Sequence, residues 1–411
     1  MTAKKNLVEI LIISLSLLLL LFKSSDPIFY GDSERFIKGS LKDPPIYSAI
    51  IYVMLSIFKN LNSVVILQTF IMTIAIIFFT KTLETIFNLD YLTKSLIAIT
   101  LFFPTIKFYN IILSEPLGFA FSLFLVSFVC KLVYNFSIKN LVWFVIFTSL
   151  LLLTRNQFII LYPVILFFYL GIFYIYKSKK KFFLLLISFL TIFLIHNFSL
   201  KLNIHLKKDL FEEKVANINT SNIFTFMMID AIYISTIKDV ELFENENLRK
   251  TLVDIFEELD NQKASIEYNN SRGHFSLSFG FIKNNVLFKL IDFAGKENIS
   301  YLNLKKKIST KLIFANYKTY LKLLFKKFYD STWLFVFVPF FILIPALINF
   351  LVYKSNYSLL IIFITIFTLA NHSVIYLLGR VQARYFIYSD FILLIFIFLS
   401  FSILLKKKIT I

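Results

Sequence analysis

The chain has 411 residues, 58% of them hydrophobic, with 43 Lys and Arg against 25 Asp and Glu for a formal charge of +18. Apolar runs of about 16 to 22 residues recur along its whole length, which excludes a single water-soluble core and points to a polytopic helical membrane protein. Much of the positive charge lies in short runs beside those segments, as at Lys177, Lys179, Lys180 and Lys181 and at Lys406 to Lys408, so it reads as a topology signal and not as a nucleic-acid footprint.

In chain order, membrane spans are expected over 7–22, 63–80, 95–106, 116–134, 141–153, 157–176, 182–200, 333–353, 357–378 and 386–405. The first has the Lys-then-Leu pattern of a signal segment, but no small-residue cleavage site precedes Lys23, so an uncleaved anchor is expected. The stretch 46–58 has about 13 apolar residues, short of the roughly 20 that cross a bilayer. Flanked by Pro45 and Lys59, it reads as a juxtamembrane helix lying in the interface. If it does not cross and the N-terminus is cytoplasmic, Lys81, Lys94, Lys131, Lys139, the 177–181 cluster, Lys354 and the Lys406 to Lys408 tail all fall on the cytoplasmic side. The expected fold is therefore an all-α polytopic membrane protein with about ten transmembrane helices and both termini cytoplasmic.

Three parts follow: a transmembrane module over 1–200 with a first extracytoplasmic loop at 24–62, a partly helical extracytoplasmic loop domain over 201–331, and C-terminal transmembrane helices over 332–411. The middle part carries 16 acidic and 20 basic residues. Helical spacing is visible from Leu248 to Asp260, and Ser271 to Phe281 reads as a Gly-broken loop. Eight lysines between Lys305 and Lys327 conflict with an outside location, although long loops translocate with little regard to charge. At the end of this stretch Lys318, Lys322 and Lys326 recur every four residues, with Leu321, Leu324, Phe325 and Phe328 towards the other face. That pattern predicts an interfacial amphipathic helix.

A charge at the centre of a span costs about 2.5 to 3.5 kcal/mol, so ionisable residues belong at span ends or in protein cavities. On this topology Asp32, Glu34, Lys42, Glu115, Arg155, Arg380 and Arg384 gather on the extracytoplasmic side. Asp32, in the loop DPIFYGDSERFIKGSLKDPPIY, is a candidate general base for a substrate hydroxyl; its bland reading is a solvated loop acid. Glu34 forms a possible cation-binding pair with Asp32, but two carboxylates are too few to argue a metal site, and a divalent cation is not supported. Glu115, in SEPL, reads equally as a first-turn acid behind a Ser114 cap and as a site residue. Arg155 in TRNQ and Arg380 and Arg384 in GRVQARYF offer guanidinium forks that grip phosphate bidentately, or that snorkel to lipid headgroups. The chain has six Arg in all, so three on one face favour a shared anionic ligand. Lys42 could meet the same phosphate or pair with Asp43. The histidines His196, His205, His274 and His372 show no ligand spacing, and Cys130, the single cysteine, cannot form an intramolecular disulfide.

Taken in order, these motifs resemble the polytopic GT-C glycosyltransferases that use polyprenyl-phosphate sugars, a group including protein O-mannosyltransferase-like and lipid A aminoarabinose transferase-like proteins. In that family a catalytic Asp follows the first span in a D-x-x-x-aromatic pattern, matched by Asp32 and Phe36, with Phe where Tyr is usual. A Pro-Pro-aromatic element follows, matched by Pro44, Pro45 and Tyr47. Glu115 matches an acidic residue at the head of a later span. Arg155 matches a basic turn, with Asn156 where Pro is common, and Arg384 and Tyr385 match a late Arg-Tyr pair.

The resemblance implies that Asp32 deprotonates an acceptor hydroxyl, which displaces polyprenyl phosphate from the anomeric carbon with inversion. The leaving phosphate is stable without a proton, so one base suffices, unlike the two carboxylates of glycosidases. Arg384, Arg155 and Lys42 would stabilise that phosphate, with Tyr385, Arg380, Glu34 and Glu115 binding substrate. The implied partners are the lipid-linked donor, a glycan, lipid or protein acceptor and membrane lipids, with no cofactor and no nucleic acid, in a bacterial inner membrane. The alternatives are a glycan polymerase or ligase, and a non-enzymatic transporter, which needs charged residues along a pathway inside the spans.

Overall fold

The computed structural model describes residues 7–22, 26–30, 33–39, 44–211, 222–264, 282, 286–332, 337–377 and 386–409. Among the described residues every extended element is a helix, and the one β-type contact is an isolated parallel bridge between Ile28 and Ile111. The helices fall into two compact units, one formed by 1–213, 337–372 and 383–411 and the other by 214–336 with 373–382.

The first unit contains α1 (Leu7–Phe22), the short α2 (Ser33–Ile37), α3 (Pro45–Phe58), α4 (Asn62–Phe87), α5 (Tyr91–Phe108), α6 (Glu115–Tyr134), α7 (Ile138–Leu152), α8 (Leu161–Tyr176) behind a 3₁₀ turn at Asn156–Ile160, and α9 (Lys179–Phe211). Five helices among the described residues are long and apolar enough to cross a bilayer: Asn62–Phe87, Glu115–Tyr134, Asn156–Tyr176, Lys179–Asn203 and Asn356–Ile375. The expected spans at the start of the chain, at 141–153, at 333–353 and at the end correspond to shorter apolar helices. The chain is an all-α membrane protein.

Helix α6 is the axis of this unit. Each residue from Glu115 to Cys130 is buried, the signature of a helix surrounded by others on all sides. Two ends of the bundle are defined by contacts. At the first, Lys94 at the start of α5 is buried between Glu9 of α1 (2.8 Å) and Glu84 of α4 (2.7 Å), with Lys81 3.7 Å from Glu9. The ring of Phe87 packs edge-on against Tyr134, and Tyr176 Oη donates to the Val133 carbonyl at 2.8 Å.

At the second end the turns before α6 and after α7 meet the N-terminal loop. The start of α3 is tied there, because the Ile46 amide donates to the Leu153 carbonyl at 3.1 Å. Helix α4 begins near the same end, since Gln68 reaches the carbonyls of Tyr109 and Ile111. Helix α3 thus starts and finishes at one end. It buries Tyr47, Ser48 and Ile51 while Tyr52, Val53, Ile57 and Phe58 stay exposed, the one-sided pattern of a helix on the outside of the bundle.

The second unit holds α10 (Asn222–Ile234), a 3₁₀ turn at Ile237–Leu242, α11 (Glu246–Asn261), α12 (Leu287–Lys296), α13 (Tyr301–Ala315) and α14 (Tyr317–Thr332). It has its own apolar core, including Ile232, Leu252, Phe256, Leu290, Ile308 and Leu312. The expected helix at Leu248 to Asp260 is α11, started by Asn245, whose side chain accepts from the Leu248 amide at 2.8 Å. Asp230 and Lys327 form a buried ion pair at 2.6 Å between α10 and α14. Burial raises the Asp230 carboxyl and lowers the Lys327 ammonium from their ordinary values, against the attraction between them. The Gly-broken loop expected at Ser271 to Phe281 lies outside the described residues. Helices α15 (Phe337–Tyr353), α16 (Asn356–Leu377) and α17 (Ile387–Ile409) follow.

Candidate active site at the second end of the bundle

The site is built on the head of α6. Pro116 fits the first helical turn, where its missing N–H costs nothing. Ser114 precedes the helix without capping it through its side chain, which corrects the capping expectation. Its hydroxyl instead accepts from Arg155 Nη1 at 3.3 Å. The same nitrogen lies 2.7 Å from Glu115 Oε2, with the Glu115 side chain 1% and the Arg155 side chain 16% exposed. Two residues that the sequence presents as separate candidates are therefore one internal ion pair. Arg155 has an internal carboxylate as its first partner, and what it offers a ligand is its exposed edge.

Aromatic and amide side chains hold this pair. The Arg155 guanidinium lies 5.9 Å from the centre of the Tyr388 ring, which meets Phe158 edge-on at 5.0 Å. Gly118 lets Tyr388 approach, since a Cβ there would stand 2.7 Å from the ring's Cε1. On the other side Tyr47 is fully buried, donates to Gln68 Oε1 at 3.2 Å and packs edge-on against Phe36 at 5.1 Å. Burial, and then the nearby charge of Glu115, raise the Tyr47 phenol well above its ordinary value and keep it protonated. The Pro-Pro-aromatic element thus brings Tyr47 into the surroundings of Glu115.

The N-terminal loop is stitched to the same place by its backbone. Ile28 donates to the Asn110 carbonyl at 2.8 Å and accepts from the Ile112 amide at 3.1 Å. Beyond it the Tyr30 amide donates to Ser33 Oγ at 2.9 Å, and the Ser33 amide donates back to the Tyr30 carbonyl at 2.8 Å. Ser33 and Phe36 are buried, whereas Glu34 is exposed and paired with Lys38 at 2.5 Å. That pairing lowers the Glu34 carboxyl and turns it towards water, away from the buried face of α2. Asp32, Lys42, Arg380, Arg384 and Tyr385 lie outside the described residues.

A second polar chain was not anticipated. Gln157 Nε2 donates to Asn371 Oδ1 at 3.1 Å, Asn371 Nδ2 donates to Ser389 Oγ at 3.1 Å, and Ser389 Oγ donates to Asp390 Oδ1 at 3.1 Å. The same carboxylate oxygen lies 2.7 Å from His372 Nε2. The reading that gave His372 no role looked for metal spacing; its partner is a single aspartate 18 residues later. The available signal was the occurrence of Gln157, Asn371, His372 and Asp390 at the ends of apolar runs, where polar groups need partners. Among the described residues no group of three His, Cys, Asp or Glu side chains is placed to hold a metal ion.

No protein-family model, curated protein or solved structure matched this chain.

Proposed function

We propose that this chain is a membrane glycosyltransferase of the GT-C type, moving a sugar from a polyprenyl-phosphate donor to an acceptor hydroxyl on the extracytoplasmic face. The observation that carries the reading is the anchoring of the N-terminal loop, through Ile28 and Ile46, to the two turns that hold Glu115 and Arg155. That anchoring supports a common site for the loop that bears Asp32 and for the internal ion pair.

In this reading ten helices cross the bilayer, α3 lies in the interface, and the Glu9–Lys94 end faces the cytoplasm. Asp32 takes the acceptor proton as the hydroxyl attacks the anomeric carbon, and the C–O bond to phosphate breaks with inversion. Lys42, Arg155 and Arg384 stabilise the departing phosphate, whose negative charge grows in the transition state. Glu115 fixes Arg155, so that little reorganisation is needed as that charge develops. A transporter reading is less favoured, because the described ion pairs of this unit gather at its two ends and not along a path between them.

The test is to incubate the purified full-length protein with a panel of polyprenyl-phosphate sugars and acceptors and to measure release of polyprenyl phosphate. Release that disappears in Asp32→Asn while donor binding survives is the expected result. A folded protein that releases nothing from any donor refutes the proposal.

A further inference from the structure

The second unit carries a surface whose composition has no use in water. On α14 the buried side is formed by Tyr320, Leu323 and Lys327, while Leu324 packs against the core. This corrects the expectation that Leu324 belongs to the exposed apolar face; Phe328 lies outside the residues whose side chains are described. Tyr317, Leu321 and Phe325, four residues apart, are 52%, 48% and 72% exposed, and Phe314 at the end of α13 is 75% exposed. At 100° per residue, Lys318, Lys322 and Lys326 form a parallel row next to that apolar stripe.

Seven of the eight lysines of this stretch fall into two groups by position. Lys305 is buried against Thr225 Oγ1 at 3.0 Å and the Tyr301 ring, Lys306 lies over the Phe224 ring, Lys311 donates to the Leu242 carbonyl at 2.8 Å, and Lys327 pairs with Asp230. These four reach other helices or turns of the unit, while Lys318 lies over the Tyr317 ring of its own helix. The row at 318, 322 and 326 runs beside exposed aromatic and leucine side chains on a helix that leads within a few residues into the apolar α15.

We infer that this face of α14, with Phe314, docks on the surface of a bilayer rich in anionic lipid. The apolar stripe would enter the headgroup–acyl boundary while the lysines extend to lipid phosphates. Chain continuity with α15 keeps the helix close to the membrane, and the adjacent lysine row supplies the charge complementarity that a neutral protein surface would not need. The conflict of the lysine-rich stretch with the topology is then reduced, since four of its lysines are structural and the row of three on α14 is lipid-directed. This inference does not rest on the proposed catalytic activity.

The test uses the full-length protein in nanodiscs. Cys130 is fully buried, so a polarity-sensitive fluorophore can be directed to Leu321→Cys or Phe325→Cys, with Asp260→Cys on α11 as the comparison site. In discs of phosphatidylglycerol with brominated acyl chains, the labels at 321 and 325 should shift to the blue and be quenched, and the label at 260 should not. Replacing Lys318, Lys322 and Lys326 together by Gln should remove the difference between phosphatidylglycerol and phosphatidylcholine discs. Labels at 321 and 325 that stay open to aqueous iodide and ignore brominated lipid overturn the inference, as does equal quenching at 260. An unchanged lipid preference in the triple variant overturns its anionic component.

Discussion

Removing Arg155 tests whether the ion pair at the head of α6 is a structural unit. At an effective dielectric of about 20, two charges about 4 Å apart attract by about 4 kcal/mol. Taking away one partner of a buried pair costs about 3 to 5 kcal/mol, because the remaining charge is left desolvated. Glu115 is 1% and Arg155 16% exposed, so water reaches one partner only, and the loss in Arg155→Met should lie near the lower figure. Glu115→Leu should cost about as much. The double variant should recover most of that loss, since an apolar replacement of both partners is often neutral. The assay is equilibrium unfolding of the full-length protein in mixed micelles, with the four proteins forming a double-mutant cycle. A coupling of about 2 kcal/mol is expected; additivity within about 0.5 kcal/mol would refute the reasoning.

Other substitutions probe the surroundings of that pair and the second unit. Gly118→Val forces a side chain into the Tyr388 ring and should destabilise by about 1 to 3 kcal/mol through overpacking, with a perturbed tyrosine signal in near-ultraviolet circular dichroism. Gln68→Leu removes the amide that donates to the Tyr109 and Ile111 carbonyls, the second of which keeps the Leu113 amide, and should cost about 1 to 3 kcal/mol, read by faster exchange of the Ile112 amide. Asp230→Asn leaves Lys327 buried without its counter-charge and should weaken the second unit by about 3 to 5 kcal/mol, most of it restored by adding Lys327→Met. Limited proteolysis of the full chain measures that weakening, and equal cleavage rates in wild type and Asp230→Asn would discount the pair.

The helices were legible because uninterrupted apolar runs leave little choice once water is excluded. Their ends were not. The span expected over 63–80 stops short of Lys81 and Glu84, yet both belong to the charged cluster around Lys94, and helix α4 runs to Phe87. Helix α9 likewise continues past 200 into a polar stretch that hydropathy does not recognise. Within the site, Glu115 and Arg155 were each visible as a charge beside an apolar segment. Their pairing was not, because 40 residues separate them and only the packing of α7 on α6 brings them together. Gln68 was missed for a related reason: one amide in a 26-residue helix carries no pattern, and its partners are backbone carbonyls that any residue would supply.

The charged knot around Lys94 has a mechanical consequence. It fastens α1, α4 and α5 at the end far from Arg155, where parting them would strand a desolvated ammonium between two carboxylates. Any parting of these three helices must then begin at the opposite end, like the jaws of tongs about a rivet.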